Sequence, residues 1–213
     1  RIESIAESVE DIVKLPDPVG KTLYETKRPN GLMITRVSVP LGVIGIVYES
    51  RPNVTVDASV LCIKAGNVAI LRGGSESFNS NACLTKAIQS ALIKNNLNKD
   101  IIQFVETTDR IAVDYMLAEM IDTIDVIVPR GGKGLVKKVQ DMAKVPVIGH
   151  LEGICHIYVD KSANLDTAIK IIHNAKLRRT EICGAAETLL IDEEYARDNL
   201  DTIVTDLHNG GCE

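Results

Sequence analysis

The chain has 213 residues, 45% of them hydrophobic and 25% charged, a globular composition that excludes extended disorder and leaves enough chain for one large core or two modest ones. Its formal net charge is −5, with both signs interspersed, no Trp and only two Phe, so neither a basic face nor stacking platforms are offered and nucleic acid is not an expected partner. No apolar run reaches the length of a membrane span and Arg1-Ile2-Glu3-Ser4 does not open like a secretory signal, so the expectation is a cytoplasmic protein without a membrane partner.

Along the chain, Gly20-Lys21-Thr22 ends like a P-loop, but position 15, where that motif needs Gly, holds Leu15. Asp17-Pro18-Val19-Gly20 reads as a turn instead. From residue 38 onward, Val43–Tyr48, Asn67–Leu71, Ile101–Val105, Asp125–Val128 and Val145–Ile148 are short apolar runs punctuated by Gly, Pro or Asn, which predicts buried parallel strands. Between them Leu84, Ala87, Ile88, Ala91 and Leu92, and later Leu135, Val139, Met142 and Ala143, recur at helical spacing. Strand and helix in alternation predict an α/β fold with a doubly wound, Rossmann-type parallel sheet. Near Gly149 a second α/β unit begins, with a strand over Ile154–Val159, Asn164 as N-cap, a buried stripe of Leu165, Ala168, Ile169 and Ile172, a strand over Glu187–Ile191 and a helix from about Glu193. Asn209-Gly210-Gly211-Cys212-Glu213 is a turn signal with nothing after it, the mark expected of a fragment.

The five cysteines, Cys62, Cys83, Cys155, Cys183 and Cys212, contain no CxxC pair, so neither a metal site nor a disulfide framework is implied. A GxGxxG fingerprint is absent. Two strand ends are better candidates: Leu71 runs into Arg72-Gly73-Gly74-Ser75-Glu76, and Val128 into Pro129-Arg130-Gly131-Gly132-Lys133-Gly134. Either loop alone is equally well a tight turn that needs Gly for positive φ. The pair, with Arg72 and Arg130, points to an anionic ligand at the carboxyl ends of the strands. In Glu49-Ser50-Arg51-Pro52-Asn53-Val54-Thr55 the Asn53 amide suits an oxyanion and Arg51 a phosphate or carboxylate, while helix capping by Asn or Thr explains the same residues. Around Cys183, the upstream Lys176, Arg178 and Arg179 favour a thiolate and the following Gly184-Ala185-Ala186 leaves room for a substrate; a buried, inert thiol is the competing reading.

Together, Val39-Pro40-Leu41-Gly42-Val43-Ile44-Gly45, Tyr48-Glu49-Ser50-Arg51-Pro52-Asn53-Val54-Thr55, Lys64-Ala65-Gly66-Asn67 leading to Leu71-Arg72-Gly73-Gly74, Ile127-Val128-Pro129-Arg130-Gly131-Gly132, Cys155-His156-Ile157-Tyr158-Val159-Asp160, Asn174-Ala175-Lys176 and Glu187-Thr188-Leu189-Leu190 resemble the aldehyde dehydrogenase superfamily. Within it the likeness is to the γ-glutamyl phosphate reductases. The resemblance implies a dinucleotide-binding domain over 1–149, the beginning of a thiol-bearing catalytic domain over 150–213, Cys183 as nucleophile, and Asn53 with the Cys183 backbone N–H as oxyanion donors. Arg72 stands where general members have a Lys against the adenosine ribose. An Arg there suits a 2′-phosphate and hence NADPH, with Gly73, Ser75 and Glu76 continuing the stretch and Gly131 and Gly132 near the pyrophosphate. Lys176 and Arg179 are the expected substrate contacts beside Arg51, against a plain reading as solvated helix-end charge.

The sequence departs from the family at His150-Leu151-Glu152-Gly153, where general members carry a Glu base; a reductase has no need to hydrolyse its thioester. It departs again at Gly184, where some members have Asn. The implied activity is NADPH-dependent reduction of L-glutamyl 5-phosphate to L-glutamate 5-semialdehyde and phosphate in proline synthesis. A homo-oligomer at full length and glutamate 5-kinase as a partner go with it. Two other readings stay open: a reductase of another acyl phosphate or an acyl-CoA, and a catalytically silent nucleotide-binding module.

Overall fold

The computed structural model describes residues 2–149 and 153–212. His150, Leu151 and Glu152, which carry the departure from the family's Glu base, lie outside the described residues. The chain divides into two compact units, Arg1–Leu151 and Glu152–Glu213.

In the first unit, α1 (Ile2–Lys14) precedes an antiparallel hairpin of β1 (Thr22–Lys27) and β2 (Met33–Val37), and then β3 (Val43–Tyr48), α2 (Pro52–Lys64), β4 (Val68–Arg72), α3 (Phe78–Lys94), β5 (Ile102–Phe104), α4 (Ile111–Ala118), β6 (Val126–Arg130) and α5 (Lys133–Met142) follow. The last four strands form one parallel sheet in the order β5-β4-β3-β6. A parallel sheet needs cover on both faces, and β3 shows how the sequence provides it. Ile44, Ile46 and Tyr48 point to one side, into a cluster with Cys62 of α2 and Leu92 of α3. Val47 points to the other, among Met116 and Leu117 of α4 and Val139 of α5. Gly45 lets the second layer close on the sheet, since a Cβ there would lie 2.5 Å from Ile127 Cδ1.

The α/β class and the parallel sheet agree with the sequence reading, and the strand limits differ by one or two residues. Val145–Ile148 does not form the expected strand. Ile127 N–H donates to Pro146 O at 2.8 Å and Ile148 N–H to Ile127 O at 2.9 Å, leaving only an isolated parallel bridge between Ile127 and Val147. Pro146 has no N–H with which to extend a ladder. The turn at Asp17 is present, with Val19 N–H donating to Asp17 Oδ1 at 2.9 Å and Gly20 at φ +75°. The sequence reading began at residue 38 and so missed α1 and the hairpin. Both hairpin strands are exposed along almost their whole length, and a strand without a buried face has no alternation to read.

The second unit is β7 (Cys155–Val159), α6 (Leu165–Leu177), β8 (Ala186–Ile191) and α7 (Glu193–Asn209), with β7 and β8 parallel. Asn164 caps α6 as expected, its Oδ1 accepting from Thr167 N–H at 3.0 Å. Ala168 and Ile172 are buried with Val159, Tyr195 and Ile203, and Leu165 and Ile169 pack at the edge of that cluster.

Leu71, 0% exposed at the centre of the first unit, tests this packing. Leu71→Ala should destabilise the protein by about 2–5 kcal/mol in urea unfolding, whereas Leu41→Ala, at a residue 57% exposed, should change it by less than about 0.5 kcal/mol.

Candidate functional site

The chain leaves β3 towards β4 on one side and returns to β6 on the other, so the strand order reverses beside β3. Open α/β sheets bind ligands at the carboxyl ends of the strands at such a point. A cavity of about 350 Å³ opens there, lined among others by Tyr48, Glu49, Arg72, Ser75, Arg110 and Gly134. Beside it a shallower depression of about 430 Å³ brings Arg51, Ser75 and Glu76 together with Glu49 and Gly74. Glu49 thus serves both, and its backbone N–H donates to Arg130 O at 3.1 Å, tying the exits of β3 and β6 together.

The glycines of both loops have a different cause from the tight turn considered above. Gly73, Gly74, Gly131 and Gly132 are absent from the positive-φ residues, and Gly74 and Gly132 are extended at φ −61° and −69°. Close approach selects them instead. A Cβ on Gly73 would collide with Asn81 Nδ2 and lie 3.0 Å from the Tyr48 ring. On Gly74 it would lie 2.8 Å from Ser50 Oγ and 3.1 Å from Ser50 N, and on Gly131 2.6 Å from Glu49 Cδ. At Gly134, in the first turn of α5, a Cβ would meet nothing within 4 Å, so that glycine leaves room in the cavity.

Arg72 is buried at 7% exposure. Its Nη1 donates to Gly73 O at 2.6 Å, and its Nη2 to Thr108 O at 2.8 Å and Asp109 O at 3.2 Å, while Nε is buried without a partner. Burial, then the nearby Arg110 guanidinium, lowers its pKa. Behind the loop runs a chain of buried hydrogen bonds: Tyr48 Oη and Thr55 Oγ1 are 2.7 Å apart, Thr55 Oγ1 donates to Asn81 Oδ1 at 3.1 Å, and Asn81 Nδ2 to Ser77 Oγ at 3.1 Å. Burial of the Tyr48 hydroxyl raises its pKa.

Capping does not explain the 53–55 stretch. Arg51 is the N-cap of α2, without a side-chain cap bond, and Pro follows it. Asn53 is exposed within the helix, its Nδ2 donating to Asp57 Oδ2 at 3.3 Å, and Thr55 is wholly buried.

In the second unit Cys183 is exposed in the segment between α6 and β8, and its carbonyl accepts from Cys155 Sγ at 3.4 Å. Gly153 allows this loop to close, since a Cβ there would run into Cys183 O. Lys176 is half-buried near the end of α6, and Arg178 and Arg179 are exposed just beyond it. The inert-thiol reading belongs to Cys62, buried on α2 with its pKa pushed up to about 11 by burial. Cys83 is exposed on α3. Among the described residues no group of His, Cys, Asp and Glu could hold a metal ion, and no helix is long and apolar enough to cross a membrane.

The sequence matches the aldehyde dehydrogenase family over residues 1–209. The chain belongs to this family. It is 59% identical over all 213 residues to a γ-glutamyl phosphate reductase of Brucella suis, covering 51% of that protein, and 57% identical to one from Parvibaculum lavamentivorans, covering 50% of it. The chain therefore spans about half the length of the curated relatives it matches. The crystal structure of γ-glutamyl phosphate reductase from Thermotoga maritima superposes with a TM-score of 0.87 at 44% identity, over 99% of this chain and 51% of that one.

Sequence reasoning missed Glu49 and Arg110 as cavity residues, and Tyr48, Thr55 and Asn81 as its support. Glu49 was legible from its place directly after β3; the others become visible only when β3, β4 and α3 are brought together.

The glycines separate by substitution. Gly73→Ala should cost about 1–3 kcal/mol of stability, because a buried amide and ring must move. Gly134→Ala should be neutral or stabilising by up to about 1 kcal/mol; chemical denaturation of the two variants distinguishes close approach from mere loop flexibility. Iodoacetamide at pH 8 should modify Cys183 and Cys83 and leave Cys62 intact, since a thiol of pKa about 11 is roughly one part in a thousand thiolate at that pH. Peptide mapping of the alkylated protein gives the order.

Proposed function

We propose that these residues serve in a γ-glutamyl phosphate reductase, which takes L-glutamyl 5-phosphate to L-glutamate 5-semialdehyde and phosphate with NADPH in proline synthesis. The observation that carries this reading is the unbroken 59% identity along the whole chain to the Brucella suis reductase.

The cavity beside β3 fits a nicotinamide dinucleotide on three counts. It lies where the strand order reverses, it is lined by the arginines Arg72 and Arg110, and Gly134 leaves open the first turn of α5, where helix N–H groups favour phosphate. In this reading Gly73, Ser75, Glu76, Gly131 and Gly132 shape the walls that hold the cofactor, which supplies a hydride when bound.

The chain's own chemistry starts at Cys183. Its thiolate attacks the γ-acyl carbon; the S–C bond forms, the bond to the phosphate oxygen breaks, and phosphate leaves with the electron pair. The Cys183 backbone N–H stabilises the developing oxyanion. After reduction the C–S bond breaks, which releases the aldehyde and regenerates the thiolate. Lys176 and Arg179, in the same unit as Cys183, are assigned to the substrate's anionic groups, where a guanidinium or ammonium is worth most when desolvated. An accessible sulfur is the first requirement of this scheme, and Cys183 is exposed.

Cys183→Ser in the full-length protein should abolish NADPH-dependent reduction of L-glutamyl 5-phosphate, because an unactivated hydroxyl is a far poorer nucleophile than a thiolate. The near-isosteric change should leave NADPH affinity, read by fluorescence titration, within about twofold. A Ser variant that keeps most of its turnover defeats the assignment.

A further inference from the structure

Arg72 was the expected reader of a 2′-phosphate, but its side chain is already committed. Three of its N–H groups are spent on the carbonyls of Gly73, Thr108 and Asp109, and turning the guanidinium to a ligand would break all three of these bonds. The arrangement is a brace, tying the exit of β4 to the segment that leads into α4. The residue that this brace sets in place is Arg110, the N-cap of α4, which lines the same cavity.

Arg110 is exposed and makes no side-chain hydrogen bond or ion pair among the described residues. Lys138, also on the cavity wall, pairs with Asp114 at 2.6 Å. The Asp109 carboxylate accepts from Ile111 N–H at 2.9 Å, and the Glu49 carboxylate lines the same cavity. Arg110 therefore brings an unpaired guanidinium to the cavity, and beside burial its charge disfavours the charged form of Arg72. An anion, and best a dianion, answers that charge.

Where in a dinucleotide that dianion belongs follows from topology. In doubly wound sheets the pyrophosphate sits at a helix N-terminus, and the adenosine ribose is read near the end of the second strand, which here is β4, the strand that carries Arg72. We propose that Arg110 reads the 2′-phosphate of NADPH, with Arg72 as the buried positioning residue that holds the Thr108–Arg110 segment against β4. The assignment rests on the reading of this cavity as a dinucleotide site.

The test uses adenosine 2′,5′-bisphosphate and 5′-AMP, which differ only in the 2′-phosphate, titrated calorimetrically into the full-length protein. The wild type should prefer the bisphosphate. Arg110→Ala should weaken the bisphosphate by about tenfold or more and leave 5′-AMP and the melting temperature unchanged, and Arg110→Lys should recover part of the loss. Arg72→Ala should lower the melting temperature and weaken the bisphosphate more than 5′-AMP, because the Thr108–Arg110 segment loses its brace. Equal losses for both probes in Arg110→Ala, or no loss, overturn the assignment, as does an Arg72→Ala variant that melts normally and loses the bisphosphate alone. A wild type that binds neither probe refutes the dinucleotide reading itself, and one that binds both equally leaves that reading standing and refutes only the 2′-phosphate assignment.

Discussion

The hydroxyl of Tyr48, at the carboxyl end of β3, is removed from water in a residue only 2% exposed. Left alone, a buried hydroxyl costs on the order of 1–3 kcal/mol; here it is satisfied by Thr55, which bonds Asn81, which bonds Ser77. The chain joins the exit of β3, the first turn of α2, the short 3-10 turn over Ser75–Ser77 and the start of α3. It can close only if β4 leaves the sheet with no side chain at residue 73, where a Cβ would displace Asn81 and crowd the Tyr48 ring. The shape of the cavity follows. With Gly73 pressed onto the network and Arg72 turned to the carbonyls of Thr108 and Asp109, the walls on the β4 side are fixed by interactions within the protein.

Sequence periodicity made the parallel sheet legible because β3 and β4 are buried on both faces and read as unbroken apolar runs. It made α6 legible because Asn164 offers a short acceptor directly before an apolar stripe. It failed where burial and pattern part company. The Val145–Ile148 run is apolar because Val145 enters the core at 4% exposure, while Pro146 denies it a ladder. The hairpin is a regular structure whose side chains remain exposed, so no periodic signal marks it.

The candidate site was legible in its residues and opaque in its physics. The two glycine loops were found as anion-facing turns, yet the demand for positive φ that such turns suggest is met elsewhere, at Gly20, Gly31, Gly42, Gly66 and Gly211. The loop glycines are required by what lies opposite them, and that depends on neighbours distant in sequence: Tyr48 and Asn81 against Gly73, Ser50 against Gly74, Glu49 against Gly131. Arg72, expected as a cofactor contact, lines the cavity. Its partners stand 36 and 37 residues away, beyond anything spacing could show, and they change its part from ligand contact to scaffold.

The formal net charge of −5 disfavours an anionic ligand at long range, but that repulsion is largely lost beyond the screening length of about 8 Å at physiological ionic strength. Within a half-enclosed cavity the effective dielectric is lower and a few fixed charges dominate. Burial lowers the Arg72 pKa first and the Arg110 guanidinium adds to it, with Asp109 acting in the other direction; Arg72 is held in place by its bonds to three carbonyl oxygens. An anion in the cavity would relieve part of the repulsion between the two guanidiniums. A dianion would relieve more of it than a monoanion, and this difference is the electrostatic basis of the preference proposed for a 2′-phosphate.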